Sequence, residues 1–215
     1  ARGAPEMVGL AALVIAIASA VALARVVVEV AVVAPGQLRA MAPPLAVLVA
    51  TLAVLAGGLW LIAGRERAEM PAQGNPAELK PALIFAALYA LISLAVAASR
   101  DHFGSGALYG VAVLSGLTDM DAITLSTARL AEHGGIEAHT AWRVIMVAAL
   151  ANLVFKGAAA AVLGGIRLGA RVGVAFLIVV AVGGALIWLW PDRGETSATT
   201  PGNNEPTARG RGFIE

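Results

Sequence analysis

Three polar residues stand close together near the middle of this sequence, inside a stretch that is otherwise largely apolar. The stretch runs from Leu108 to Leu130, and it contains Thr118, Asp119 and Asp121 after a Ser-Gly pair. Polar and ionisable side chains at membrane depth are costly, and they commonly mark ion pathways or proton relays. These residues therefore predict a site for a small cation or a proton.

A break in the helix would keep both carboxylates out of lipid. On one continuous helix, Asp119 and Asp121 would point about 200° apart, at about 100° per residue. If the helix stops and restarts, Thr118 and Asp121 form a Thr-x-x-Asp capping pattern with Thr118 as the N-cap. We expect the interruption between about Leu114 and Asp119. Irregular backbone at that depth is tolerated only inside protein or beside a water-filled cavity.

Two interpretations of this stretch stay open. In the functional one, Asp119 or Asp121 binds a cation or a proton together with Thr124, and Thr118 supplies a further oxygen. In the structural one, the same side chains only cap the second half of the helix inside a polar contact between helices.

Two other apolar segments carry polar residues four positions apart, which places each pair on one helical face. These pairs are Arg25 with Glu29 and Asn152 with Lys156. An unpaired charge near the centre of a bilayer costs at least about 2.5 kcal/mol on insertion scales. We therefore expect these charges to turn inward and to find partners.

The five charges expected deep in the protein have a formal sum of −1, and they are Arg25, Glu29, Asp119, Asp121 and Lys156. A cluster with one excess negative charge can accept one monovalent cation or one proton. We expect Lys156 to lie within salt-bridge or one-water reach of a carboxylate of Glu29, Asp119 or Asp121. The alternatives are a purely structural salt bridge, or a Lys156 that extends toward the outer membrane interface.

Composition places these residues in a membrane protein. The chain has 215 residues, 59% hydrophobic and 13% charged, and its mean hydropathy is +0.83. Soluble domains carry about 25% charged residues. A net charge of +1 without a basic patch argues against nucleic-acid binding, and the absence of cysteine excludes thiol catalysis. No nucleophile and base form a known motif, so we expect neither an enzyme nor a cofactor.

The expected fold is an all-α, polytopic transmembrane bundle of about six spans with the fourth span broken. A span needs about 20 mostly apolar residues. The six segments are Met7–Val33, Pro44–Ala63, Pro81–Ser99, Gly106–Leu130, Ala138–Leu163 and Arg171–Trp190. The transmembrane domain occupies residues 1–191. Residues 192–215 are rich in polar residues, Gly and Pro, which predicts a disordered tail.

The positive-inside rule then sets an expected orientation. If all six spans alternate, nine basic residues fall on one side: Arg2, Arg65, Arg67, Lys80, Arg129, Arg143, Arg193, Arg209 and Arg211. Four fall on the other side: Arg39, Arg100, Arg167 and Arg171. This bias predicts that both termini are cytoplasmic.

Three stretches are similar to one known family: Ala18–Pro35, Asn75–Leu130 and the run from Ala149 to Gly165, with LTDMDAIT at Leu117–Thr124 as the most specific part. They resemble DUF4010, a bacterial membrane family of unknown function, and the resemblance covers nearly the whole chain, to about Trp190. The polar residues that match are Thr118, Asp119, Asp121, Thr124, Asn152, Lys156, Arg25 and Glu29. The family is commonly found C-terminal to MgtC/SapB-type domains. The resemblance implies a bacterial inner-membrane location, an MgtC-like domain or a second copy as partner, and no established reaction.

These observations favour a protein that transports or conducts a small cation. Asp119 and Asp121 would be the charged ligands, and Asn152 and Lys156 would line or gate the path, with Lys156 as a built-in counter-cation. The alternative is a regulatory or interaction subunit of a membrane complex, which does not transport.

Overall fold

Six α-helices and one short 3-10 turn make up the regular structure in residues 5–63 and 107–191, which the computed structural model describes. No strand occurs in these two ranges. The helices are α1 Pro5–Val33, α2 Leu38–Ala63, α3 Ala107–Thr118, α4 Met120–Glu132, α5 Ala138–Gly164 and α6 Ile166–Leu189, and the 3-10 turn is Pro35–Gln37. The expectation of an all-α bundle is confirmed for these residues.

Four of these helices are long and apolar enough to cross a membrane, namely α1, α2, α5 and α6. Two of them begin earlier than the sequence suggests. The second span was expected from Pro44, but α2 already begins at Leu38 and contains Pro43 and Pro44 in its second turn. Proline leaves the carbonyl four residues earlier without a helical donor. Here those carbonyls belong to Arg39 and Ala40, which are exposed.

The last helix also begins early, at Ile166 rather than at Arg171. Gly165 allows this because it has a φ of 84°, which is a left-handed conformation that glycine adopts readily. The chain thus turns within one residue between α5 and α6. The expected third span, Pro81–Ser99, and the expected tail after residue 191 both lie outside the described residues.

Two connections and the end of α6 lie at one end of the bundle, which we call the turn end. The amide of Gly36, between α1 and α2, donates to Glu132 Oε1 at 3.3 Å. Gln37 lines one cavity together with Gly134 from the α4–α5 connection and Trp190 after α6. The start of α1, the end of α2 and the α5–α6 turn therefore lie toward the opposite end.

The first helix and α4 run parallel to each other. Arg25 bonds to Asp121 and Gly36 bonds to Glu132, and both pairs are separated by 96 positions. Asp121 and Arg25 each lie eleven residues before the contact at the turn end, which is about 16 Å along a helix. Both residues thus lie well away from the turn end along the bundle axis.

This arrangement does not fit the alternation of six spans on which the expected orientation rests. Six alternating spans would place the start of the first helix and the end of the last on the same side. The structure places the start of α1 and the end of α6 at opposite ends, with Arg39, Arg129 and Arg143 toward the turn end and Arg167 and Arg171 toward the other. The nine-to-four count mixed residues from both ends, so it does not show that both termini are cytoplasmic.

The core is centred on the part of α5 nearest the turn end. Trp142, Ile145, Met146 and Leu153 are buried there. Beyond Leu153, α5 becomes more exposed, and Val154 and Val162 are open to the surroundings. The tightly packed half of α5 holds α3 and α4 in place, while its other half forms the wall of a groove.

Candidate functional site

The helix break predicted in the fourth span is present, and Asp119 forms it. This residue has extended backbone, with φ −149° and ψ 108°, and lies between the end of α3 and the start of α4. Its Oδ1 accepts a hydrogen bond from the amide of Asp121 at 2.9 Å. Asp119 is therefore the N-cap. The prediction that Thr118 caps the second half was wrong by one residue, because α3 continues through Thr118.

The two threonines of the predicted site use their hydroxyl protons inside their own helices. Thr118 Oγ1 donates to the carbonyl of Ser115 at 3.2 Å, and Thr124 Oγ1 donates to the carbonyl of Met120 at 2.7 Å. Thr124 is fully buried. This bond to the carbonyl four residues earlier is one that threonine commonly makes within a helix, and it leaves the oxygen lone pairs unused.

Asn152 of α5 satisfies a carbonyl next to the break. Its Nδ2 donates to the carbonyl of Gly116 at 2.9 Å, in a buried position. The last carbonyls of a helix have no following turn to bond them, so a partner from another helix is needed here. The spacing of Asn152 and Lys156 indicates a shared polar face but does not reveal this hydrogen bond.

Gly116 makes that bond possible because it lets α3 lie against α5. A Cβ at Gly116 would fall 2.3 Å from the carbonyl oxygen of Ala148 and 2.7 Å from its Cα. Those are backbone atoms, so they cannot move aside as a flexible side chain would. Close approach of backbones through small residues is common in membrane helix packing. The signal in the sequence was Ser115-Gly116, which also predicted the turn.

Arg25 forms an ion cluster with two carboxylates, which we call the charge cluster: Arg25, Glu29 and Asp121. Arg25 Nη2 donates to Asp121 Oδ2 in a short contact, and Arg25 Nε lies 3.5 Å from Glu29 Oε1. One oxygen of each carboxylate, Glu29 Oε2 and Asp121 Oδ1, is buried and finds no hydrogen-bond donor in the described ranges. The cluster has a formal charge of −1.

Part of the charge cluster is open to the surroundings of the chain. The Arg25 side chain is 57% exposed, and Asp119 beside it is exposed as well. Both lie far from the turn end along their helices. A guanidinium exposed to hydrocarbon at that depth would be unfavourable. We therefore expect water or another protein surface to cover this face.

Lys156 makes no direct salt bridge with a described carboxylate, and its reach to Asp121 through one water stays a prediction. In residues 5–63 and 107–191, no carboxylate oxygen lies within 4.0 Å of its ammonium. Arg25 occupies that place beside Asp121 and Glu29 instead. The reason is geometric: Arg25 comes from α1, which runs alongside α4, whereas Lys156 lies one turn beyond Asn152 on the less buried half of α5.

Lys156 instead lines a cavity of about 590 Å³, which we call the groove. It lies between α1, α5 and the start of α6. Its lining residues are Ile15, Ala18, Ser19, Thr118, Asn152, Phe155, Lys156, Ala159, Ala160, Leu163, Gly164 and Leu168. The eight predicted residues thus separate into two sets, one around the charge cluster and the other around the groove. Ser19, buried on α1, was missed, although it is a lone hydroxyl in a long apolar segment.

A metal centre built from several acidic or histidine residues is not seen in the described ranges. There, no three His, Cys, Asp or Glu side chains are grouped so that they could hold a metal ion. The two unpaired carboxylate oxygens of the charge cluster are acceptors for a proton or for one positively charged group.

The helices and the charges within them define a polytopic helical membrane protein. The chain matches the family described as "Domain of unknown function (DUF4010)" over residues 1–164, and it belongs to that family. It is also 37% identical over 94 residues to an uncharacterized protein of Aquifex aeolicus (strain VF5). That match covers 44% of this chain and 41% of the relative. No solved structure matches the chain.

Proposed function

We propose that this protein moves a proton or a monovalent cation across the bacterial inner membrane, and that the charge cluster is its site. The observation that carries the proposal is the surplus of acceptors around Arg25. One guanidinium faces Glu29 and Asp121, and each carboxylate retains a buried oxygen without a donor in the described ranges. Binding one positive charge would bring the formal charge of the cluster from −1 to zero.

The helix break supports this proposal because α3 ends at Thr118, three residues before Asp121. A helix C-terminus carries partial negative charge. The broken helices of transporters use such ends to coordinate Na⁺ or H⁺. In this scheme a proton or cation at Asp121 loosens its contact with Arg25, and the guanidinium takes the counter-cation role that the sequence suggested for Lys156.

Flux into liposomes tests the proposal directly. Purified protein is reconstituted into vesicles that contain a dye selective for H⁺, Na⁺ or K⁺, and a gradient of the matching ion is imposed in each experiment. We expect one of these ions to move, and Asp121→Asn to reduce its flux to the level of empty vesicles. Glu137→Gln is the matched control, because Glu137 is an exposed carboxylate at the turn end.

Two results would contradict the proposal. Full flux in Asp121→Asn would move the site elsewhere, and no flux of any of the three ions would reject the transport function. The absence of flux would favour the second candidate function, an interaction subunit of a membrane complex.

The second candidate is an interaction subunit of a membrane complex, with an MgtC-like domain or another copy of the chain as partner. The exposure of Arg25 favours it, since a guanidinium at membrane depth is stabilised by a covering protein. Cysteine cross-linking tests this cleanly because the chain contains no cysteine. Val28→Cys on α1 should cross-link to a discrete product, whereas Val174→Cys on α6 should not; the two positions are 60% and 62% exposed.

A further inference from the structure

The groove has a chemical character that the charge cluster does not share. Its walls are mostly aliphatic, and Lys156 is the charged side chain among the described lining residues. Its volume of about 590 Å³ is in the range of ligand pockets, about 300–1,000 Å³. Such a cavity fits a molecule that is largely apolar and carries one negative group.

The groove also extends from the middle of the bundle to its end. Thr118 and Asn152 line it at the level of the helix break, and Gly164 and Leu168 line it at the α5–α6 turn. Lys156 lies eight residues before the end of α5, or about 12 Å along the helix. Lysine packs its methylene stem along apolar surface while its ammonium reaches toward a polar region. Its charge can therefore meet an anion near the membrane interface.

The start of α6, at the same end, lacks the negative charge that a helix N-terminus favours. Gly165 caps it without a side-chain hydrogen bond, and the first turn contains no acidic residue. Arg167 and Arg171, close to Leu168 in the chain, are both exposed. Two cations near a helix N-terminus are unfavourable for that helix, and an anion bound there would offset both effects.

We propose that the groove binds an anionic membrane phospholipid. One acyl chain lies along the apolar walls toward Asn152, and the phosphate meets Lys156 near the α5–α6 turn, with the nearby arginines adding positive potential. Basic pockets between transmembrane helices bind anionic head groups in this way. A free phosphate ion shares the head-group chemistry but would leave the apolar walls unused. This inference does not depend on ion transport.

Lipid titration of the purified full-length protein tests the proposal. Phosphatidylglycerol and phosphatidylcholine with identical acyl chains are added separately to protein in a neutral detergent, and bound lipid is counted by native mass spectrometry. We expect phosphatidylglycerol to bind about fivefold more tightly, which is the effect of one basic residue on an anionic lipid. Lys156→Met should remove this preference. Arg39→Gln, which deletes an exposed cation at the turn end, should retain it.

Two further experiments complete the test. The first distinguishes binding of the whole lipid from binding of a phosphate ion, and the second tests the groove with Lys156 unchanged. Inorganic phosphate alone should not displace phosphatidylglycerol, because it cannot use the apolar walls. Ala159→Phe should weaken binding of both lipids by filling the groove, while Lys156 remains in place. It also serves as the test if Lys156→Met does not fold.

Four results from the groove and its variants would each overturn the proposal. These are equal binding of the two lipids by the unaltered protein, a preference that survives in folded Lys156→Met, displacement by inorganic phosphate alone, or unchanged lipid binding in folded Ala159→Phe. A loss of the preference in Arg39→Gln would place the anion site at the turn end and would reject the groove as well.

Discussion

The charge cluster and the groove both place charge deep in the bundle, but they compensate it differently. In the charge cluster, Arg25 of α1 meets Asp121 of α4 and Glu29 of its own helix, so the opposite charges come from the protein. In the groove, Lys156 has no such carboxylate among the described residues, and mostly apolar side chains surround it. The two proposals above rest on this difference: the cluster has carboxylate oxygens left for a positive charge, and the groove has a cation without a contacting carboxylate in the described ranges.

The largest expected effect concerns the two ends of the bundle. We expect residues at the turn end and residues at the α5–α6 turn to be accessible from opposite sides of the membrane. Arg39→Cys, Glu137→Cys and Ile166→Cys are made one at a time in this cysteine-free chain. We expect a membrane-impermeant thiol reagent to label the first two from one side and Ile166→Cys from the other. The physical reason is that the first two lie at the turn end and Ile166 at the opposite end.

Six alternating spans predict a different result for the same three variants. Arg39→Cys and Ile166→Cys would then share a side, and Glu137→Cys would be labelled from the other. That outcome would reject the arrangement of ends described above.

The next largest effect is expected from removing the cation of the charge cluster. Arg25→Met leaves Asp121 and Glu29 without their guanidinium, and an uncompensated charge at membrane depth costs about 2.5–3.5 kcal/mol on insertion scales. We expect a loss of stability of that order, measured by thermal unfolding in detergent. Adding Asp121→Asn should restore part of it.

Lys156→Met is the matched control for that experiment. Removing Lys156 leaves no contacting carboxylate without its partner in the described ranges. The loss of stability of Lys156→Met in lipid-free detergent should therefore be much smaller than that of Arg25→Met. Equal losses for the two variants would show that Lys156 belongs to the same ion network, and the two regions would then be one.

The packing of Gly116 against Ala148, which holds α3 to α5, should also affect stability. Gly116→Ala places a Cβ against the backbone of Ala148, which separates α3 from α5 and breaks the bond from Asn152. Overpacking of this kind costs about 1–3 kcal/mol. Gly58→Ala is the control, because a Cβ there has no atom within 4 Å. A neutral Gly116→Ala would mean that α3 is not held closely to α5.

The smallest effect distinguishes capping from ion binding at Asp119. Asp119→Ala should lower stability by about 0.5–2 kcal/mol, as expected for a lost N-cap. Asp119→Asn should retain the cap and hence the stability, and Thr118→Ala should cost less than Asp119→Ala. Flux measured on Asp119→Asn then reports the charge alone. If Thr118→Ala is the more damaging change, the cap is at Thr118 after all.

The sequence alone determined the class of fold and the existence of the break. Long apolar segments at α1, α5 and α6 have no stable alternative to membrane helices, because backbone polar groups must bond internally in lipid. Asp119 and Asp121 could not both face one side of a continuous helix, so an interruption followed from local geometry. The sequence did not determine where α2 and α6 begin, because Pro43 and Gly165 each fit either a break or a continuing turn.

Only the tertiary structure decided which charges meet. The sequence showed five charges and a deficit of cations, but Arg25 and Lys156 are equivalent on composition. Their partners depend on which helices run alongside α4, and that choice is made by packing of helices remote in the chain, such as Gly116 against Ala148. The same packing places the end of α6 beside the α1–α2 turn. Counting basic residues along the chain cannot reveal this packing. Such a count assumes that successive spans alternate in direction, and only the folded structure determines their directions.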